Sequence, residues 1–106
     1  MYKQSDIVIT EFIRRVKLVL DNRLKKIILF GSRARGDYRT DSDYDFFLII
    51  ADKRDDNTKE SVLEICVDML NKYDTLVSFI LCDENEWAHK KKFPIGLNII
   101  KEGIEL

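Results

Sequence analysis

Two aspartates stand where a buried strand would be expected to begin. Asp43 and Asp45 flank the first residue of the apolar run Tyr44–Ile50, which is typical of a strand. An earlier apolar run closes on Gly31-Ser32, and ten residues separate that serine from Asp43. Isolated charges at such a place cost free energy unless something compensates them. The pattern therefore requires both a sheet and a chemical partner for the carboxylates.

The hydrophobic pattern predicts helices and strands in alternation. Apolar residues at three- and four-residue steps predict amphipathic helices, and continuous apolar runs predict strands covered on both faces. Residues 32–42 are polar and charged and are predicted to form a loop. The order α-β-loop-β-α-β-α-α predicts an α/β (α+β) fold, a small mixed β-sheet with helices packed against it. The predicted helices run from a cap at Ser5-Asp6 to near Asp21, over 56–71, after a cap at Asp83, and from Pro94 to Gly103, and the predicted strands cover 25–31, 44–50 and 75–82.

Length and charge limit the class of protein. The chain has 106 residues, of which 45% are hydrophobic, and this predicts a single domain over residues 1–106 with one core. Eighteen basic and nineteen acidic side chains give a net charge of −1, which argues against generic binding to nucleic acid or an anionic membrane. The polar N-terminus, MYKQSD, and the absence of a long apolar run predict a soluble, cytoplasmic protein. Cys66 and Cys82 lie in apolar runs and are predicted to be reduced, buried thiols.

The aspartate pair has the geometry of a metal site. Side chains alternate faces along a strand, so Asp43 and Asp45 point the same way, about 7 Å apart. Two carboxylates on one face repel each other unless a cation lies between them. Hard oxygen ligands suit Mg²⁺, which takes its further ligands from water and substrate phosphates.

The Gly-Ser turn has the chemistry of a phosphate site. Gly31 lets a phosphate approach the backbone closely, and the Ser32 hydroxyl can donate to it. Arg33 and Arg35 add planar donors that match phosphate oxygens, although a merely charged surface is the alternative interpretation. Metal ligands and phosphate donors on neighbouring strands predict a site for a nucleoside triphosphate.

The combination resembles a known signature. Strand, Gly-Ser, ten residues, Asp-x-Asp and strand is similar to the DNA polymerase β-like nucleotidyltransferase superfamily, and GSRARGDYRTDSDYD resembles its minimal nucleotidyltransferase branch. The resemblance implies the nucleotidyltransferase fold and transfer of a nucleotidyl group, commonly AMP from ATP, to a hydroxyl with release of pyrophosphate. By position it implies that Gly31 and Ser32 hold the triphosphate, and Ser42 is grouped with these nucleotide-binding residues. It also implies that Asp43 and Asp45 bind the metal.

The resemblance implies a third carboxylate on the strand that follows the intervening helix. In DTLVSFILC, Asp74 stands at the start, while Ser78 occupies an interior position where a carboxylate would be expected. Asp74 is therefore the candidate third metal ligand and catalytic base. The alternative is that Asp74 is a turn residue before the strand, in which case the base is lost.

The acceptor hydroxyl is not indicated by any residue. Small members of this family are paired with a helical protein of the HEPN class, an RNase-type toxin that they neutralise by adenylylation or by binding. The resemblance thus implies a HEPN-type partner and an antitoxin role here. A non-catalytic nucleotide- or partner-binding module is the alternative, and a homo-oligomer is left open.

Overall fold

Helices and strands alternate as the sequence pattern predicts. The structure, a computed structural model, describes residues 6–106. The helices are α1 Ile7–Leu20, α2 Ser32–Arg35, α3 Asp56–Tyr73, α4 Glu84–Lys90 and α5 Pro94–Glu102, with a 3₁₀ turn at Asp21–Arg23, and the strands are β1 Leu24–Phe30, β2 Tyr44–Ile50, β3 Val77–Asp83 and β4 Ile104–Glu105.

The four strands form one mixed sheet in the order β3-β2-β1-β4. β1 runs antiparallel to both β2 and β4, while β2 and β3 are parallel, since α3 returns the chain across the sheet. The predicted α/β fold with a small mixed sheet is thereby confirmed. β1 and β2 are the central strands, so the end of β1 and the start of β2 lie side by side in the middle of one sheet edge.

Helices cover both faces of the sheet, which explains why the central strands are apolar without a break. On one face, alternate residues of β2 such as Phe46 and Leu48 pack with α1 and α3. On the other face, Phe47 and Ile49 pack with Trp87 of α4 and Ile99 of α5. By alternation, Asp45 belongs to the second face, the one that carries α4 and α5.

The element boundaries differ from prediction at a few places. The predicted loop 32–42 begins with the short helix α2, and α3 continues to Tyr73 instead of ending at residue 71. β3 consequently begins at Val77, later than predicted, and the two-residue strand β4 was not predicted. Such short pieces are stabilised by tertiary contacts more than by local pattern.

The helix caps follow the predicted residues where they can be compared. Asp6 caps α1 by accepting from the N–H groups of Val8 and Ile9, at 3.0 and 3.1 Å, while Ser5 lies outside the described residues. Asp83 caps α4 in a reciprocal capping box with Glu86.

The two cysteines are free and buried, as predicted. Burial raises the pKa of the Cys66 and Cys82 thiols to about 11, so both are protonated and unreactive near neutral pH. Between residues 6 and 106, no helix combines the length and apolar character that crossing a membrane requires.

Candidate active site

The sheet register brings the Gly-Ser turn to the aspartate pair. Phe30, the last residue of β1, pairs with Asp45 near the start of β2. Gly31 and Ser32 follow Phe30 directly, so the turn begins beside the Asp45 carboxylate. Antiparallel pairing thus joins, in space, two motifs that lie ten residues apart in sequence.

Gly31 is in close contact with Asp45. Its φ of 76° and ψ of −159° define a conformation that essentially only glycine adopts. A Cβ atom at this position would lie 2.5 Å from Oδ2 of Asp45 and 3.3 Å from Cγ. The predicted need for glycine therefore has two causes here, the backbone conformation and the neighbouring carboxylate.

The two carboxylates influence each other. Asp43 is exposed and Asp45 is half-buried. The pKa of Asp45 is raised from its ordinary value of 3.8, first by burial and then by repulsion from Asp43, while Arg35 acts in the opposite direction. Two acidic groups in this relation are the donor set that a divalent cation would stabilise, and Gly31 leaves room beside them. The pair therefore fits a hard cation such as Mg²⁺.

Ser32 is the first residue of α2 and is half-buried. The Gly31 carbonyl accepts from the N–H groups of Ala34 and Arg35, both at 3.1 Å. The N–H groups of Ser32 and Arg33 precede the first hydrogen-bonded turn, as at any helix start, and have no helix carbonyl to bond. The turn consequently presents a hydroxyl and backbone donors next to the carboxylates.

Arg33 has a different environment from the one predicted. Its guanidinium donates to the carbonyl oxygens of Ser42 and Thr40 and lies over the rings of Tyr38 and Tyr44. These contacts are within the protein, so the structure uses the side chain to hold the loop. Neither the spacing nor the charge of the motif indicated this role; the two tyrosines in the same stretch were the available signal.

Arg35 and Ser42 also make internal contacts. Arg35 is exposed and pairs with Asp37 at 3.2 Å and with Glu102 at 3.4 Å. Hydrogen bonding to Asp37 raises the pKa of Arg35 further above its ordinary value. The Ser42 hydroxyl accepts from the Arg39 N–H at 2.8 Å, which closes the loop just before Asp43.

Asp74 is the turn residue of the second alternative. It is the exposed C-cap of α3, with a left-handed φ of 51°, and its N–H donates to the Leu70 carbonyl at 2.9 Å. Among residues 6–106, no three or more His, Cys, Asp or Glu side chains are grouped to hold a metal ion, so Asp74 is not brought together with Asp43 and Asp45. The residue that pairs with Asp45 on β3 is Ser78.

The fold and this edge of the sheet define the class of protein. A glycine turn packed against one of two strand-borne carboxylates, on a small mixed sheet with helices on both faces, is an arrangement of the nucleotidyltransferase type. The family model described as polymerase beta nucleotidyltransferase matches residues 14–106. The chain belongs to this family, and the family predicted from the motif is confirmed.

Known proteins similar to the chain fall in the same group. A candidate protein adenylyltransferase of Methanocaldococcus jannaschii is 38% identical over 95 residues, which is 90% of each chain. A toxin–antitoxin crystal structure with AMP-PNP contains a chain with a TM-score of 0.58 and 22% identity, covering 90% of this chain and 69% of that one. The structure of a tri-AMPylated Shewanella oneidensis HEPN toxin in complex with its MNT antitoxin gives a TM-score of 0.50 and 21% identity, with coverages of 93% and 71%. The two structural likenesses show a shared fold.

Proposed function

We propose that this protein transfers AMP from ATP to a hydroxyl group of a partner protein. The observation that carries the proposal is the contact between the Gly31 backbone and the Asp45 carboxylate, beside Asp43. That contact joins a phosphate-binding turn to a pair of metal-binding carboxylates. The similarity to a candidate protein adenylyltransferase supports AMP as the transferred group and a protein as the acceptor.

The residues of the turn would bind the triphosphate. Ser32 would donate its hydroxyl and its N–H, and Gly31 would let a phosphate oxygen approach the backbone. Arg35 would add positive charge beside the site once its pairing with Asp37 and Glu102 is loosened. Burial of the triphosphate on these groups would leave the α-phosphate facing the aspartates.

Asp43 and Asp45 would hold the divalent cation, which we propose to be Mg²⁺. When bound, such an ion neutralises phosphate charge and stabilises the attacking and leaving oxygens of an in-line displacement. Asp45, whose pKa is raised, would gain most from the added positive charge. In the reaction the acceptor oxygen forms a bond to the α-phosphorus, the bond from that phosphorus to the bridging oxygen breaks, pyrophosphate leaves, and the hydroxyl proton is released.

The acceptor that we propose is a helical partner of the HEPN class, and the role is that of an antitoxin. The support is the likeness to chains from toxin–antitoxin structures, one of which contains an AMPylated HEPN toxin. Use of ATP would also place the reaction in the cytoplasm.

A second candidate function is a non-catalytic module that binds a nucleotide or a partner. The observation that favours it is the missing third carboxylate, since Ser78 pairs with Asp45 and Asp74 lies in a turn. A positioned base contributes about 10²- to 10⁴-fold in rate, so its absence would leave binding with little transfer.

One experiment separates the two functions. The protein is incubated with Mg²⁺, ATP labelled at the α-phosphate, and the HEPN-type protein encoded beside it in the genome. AMP transfer predicts label on the partner, lost in an Asp43→Asn/Asp45→Asn double variant. Binding of ATP without any labelled partner would instead support the non-catalytic module.

A further inference from the structure

The Arg33 guanidinium is enclosed by two aromatic rings. Its central carbon lies 4.5 Å from the centroid of the Tyr38 ring and 4.1 Å from that of Tyr44. Cation–π contacts of this geometry are favourable when the cation is partly desolvated, and Arg33 is half-buried. The side chain is therefore held on both faces of its plane.

The edge of the same guanidinium binds the loop backbone. Nη2 donates to the Ser42 carbonyl at 3.0 Å and to the Thr40 carbonyl at 3.3 Å, and Nε donates to Ser42 at 3.3 Å. Arg33 thus contacts both neighbours of Asp43, the carbonyl of Ser42 before it and the ring of Tyr44 after it.

Tyr44 provides a fixed base for this arrangement. It is buried, and its hydroxyl donates to the Asp6 carboxylate at 2.9 Å. Its N–H donates to the Leu76 carbonyl at 3.0 Å at the entrance to β3. A side chain stacked on this ring is consequently positioned relative to the sheet and not merely to an exposed loop.

We propose that Arg33 is a positioning residue that fixes Asp43 relative to the Gly31-Ser32 turn. Arg33 directly follows Ser32 in the chain, so one side chain couples the phosphate-binding turn to the loop that delivers Asp43. Lysine could not replace it, because stacking and forked donation both require a planar guanidinium. This role corrects the prediction from sequence that Arg33 binds phosphate, and it rests on the proposed function only where the metal and nucleotide are concerned.

The test compares Arg33→Lys with a matched control, Arg39→Lys. Arg39 lies in the same exposed loop, and only its backbone contacts Ser42. Both variants keep the charge. Amide hydrogen exchange is measured first, with no metal or nucleotide present. We expect the Ser42 amide, which donates to the Arg39 carbonyl, to exchange about tenfold faster in Arg33→Lys, because two cation–π contacts and three donated bonds are weakened. Arg39→Lys should leave that exchange rate unchanged.

Calorimetry of ATP binding then adds the functional readout. Loss of a group that orients a metal ligand typically costs about 10- to 100-fold, so Arg33→Lys should weaken Mg²⁺-dependent binding by that factor. Binding of ATP without Mg²⁺ and the Tm should change little, and Arg39→Lys should match the wild type throughout. Unchanged Ser42 exchange would overturn the proposal, as would a loss of ATP binding that is equal with and without Mg²⁺. A wild-type protein that binds no Mg²⁺-ATP would contradict the proposed function, while the exchange result would still decide the role of Arg33.

Discussion

At the scale of single residues, the contact between Gly31 and Asp45 limits what either position can hold. The glycine has a backbone conformation that excludes other residues, and the aspartate occupies the space that a side chain would need. Asp45 in turn is ionised at some cost, because it is half-buried and faces Asp43. Both features lower stability and are best explained by a ligand that needs them.

We predict that Gly31→Ala abolishes Mg²⁺-dependent ATP binding. The new methyl group would displace the Asp45 carboxylate, and the strained backbone would cost roughly 1–3 kcal/mol of stability. Gly36→Ala is the matched control, since Gly36 also has a positive φ, of 88°, but no atom within 4 Å of an added Cβ. It should lose roughly 1–2 kcal/mol and bind ATP normally. Calorimetry at a temperature where all proteins are folded checks this, and normal binding by Gly31→Ala would remove the phosphate-binding turn from the proposal.

We predict that Asp45→Asn is more stable than the wild type near neutral pH. The folded protein raises the pKa of Asp45, so it binds this proton more tightly than the unfolded chain does. Ionisation therefore costs folded-state stability above the raised pKa, and the cost disappears as the pH falls towards the ordinary value of 3.8. Thermal unfolding over this pH range should show a higher Tm for Asp45→Asn that converges on the wild type at acid pH. A lower Tm near neutral pH would mean that the carboxylate stabilises the fold.

At the scale of elements, the end of α3 determines which residues reach the site. The helix continues to Tyr73, and its left-handed cap at Asp74 turns the chain before β3 begins. The register of β3 against β2 then places Ser78 beside Asp45. The third strand therefore contributes a hydroxyl to this edge and not a carboxylate.

We predict that Asp74→Gly raises stability and leaves Mg²⁺-ATP binding unchanged. Glycine removes the cost of a left-handed cap, roughly 0.5–1 kcal/mol, and Asp74 does not meet the metal pair. Ser78→Asp, in contrast, should bind Mg²⁺ several-fold more tightly, because it adds a carboxylate next to Asp45. Denaturant unfolding and calorimetry measure the two effects. A loss of Mg²⁺-ATP binding in Asp74→Gly would show that the Asp74 carboxylate does reach the site.

The sequence predicted the parts of the site that depend on short-range pattern. Alternation along β2 gave the common direction of Asp43 and Asp45, and the apolar run ending at Gly31 gave the position of the turn. The role of Arg33 depends on a loop conformation that brings Tyr38 and two carbonyl groups around it, and no periodicity encodes that conformation. The location of Asp74 depended on where α3 ends, and an exposed aspartate can continue a helix or cap it.

At the scale of the whole molecule, the site lies open at one edge of the sheet. A groove of about 830 Å³ is lined by residues such as Lys53, Asp83 and Glu86, which follow the ends of β2 and β3. It therefore lies at the opposite end of these strands from Asp43 and the start of β2. A site without an adjoining pocket suits an acceptor that brings its own surface, as a partner protein does.

The central claim is that the Gly31-Ser32 turn and the aspartate pair form one site for a metal–nucleotide complex. Calorimetry of ATP binding, with and without Mg²⁺, on the wild type and on Asp43→Asn tests it most directly. We expect Mg²⁺ to strengthen binding to the wild type by about tenfold or more, and Asp43→Asn to lose that gain while its metal-free binding is retained. Affinity that is equal in both proteins and independent of Mg²⁺ would contradict the claim.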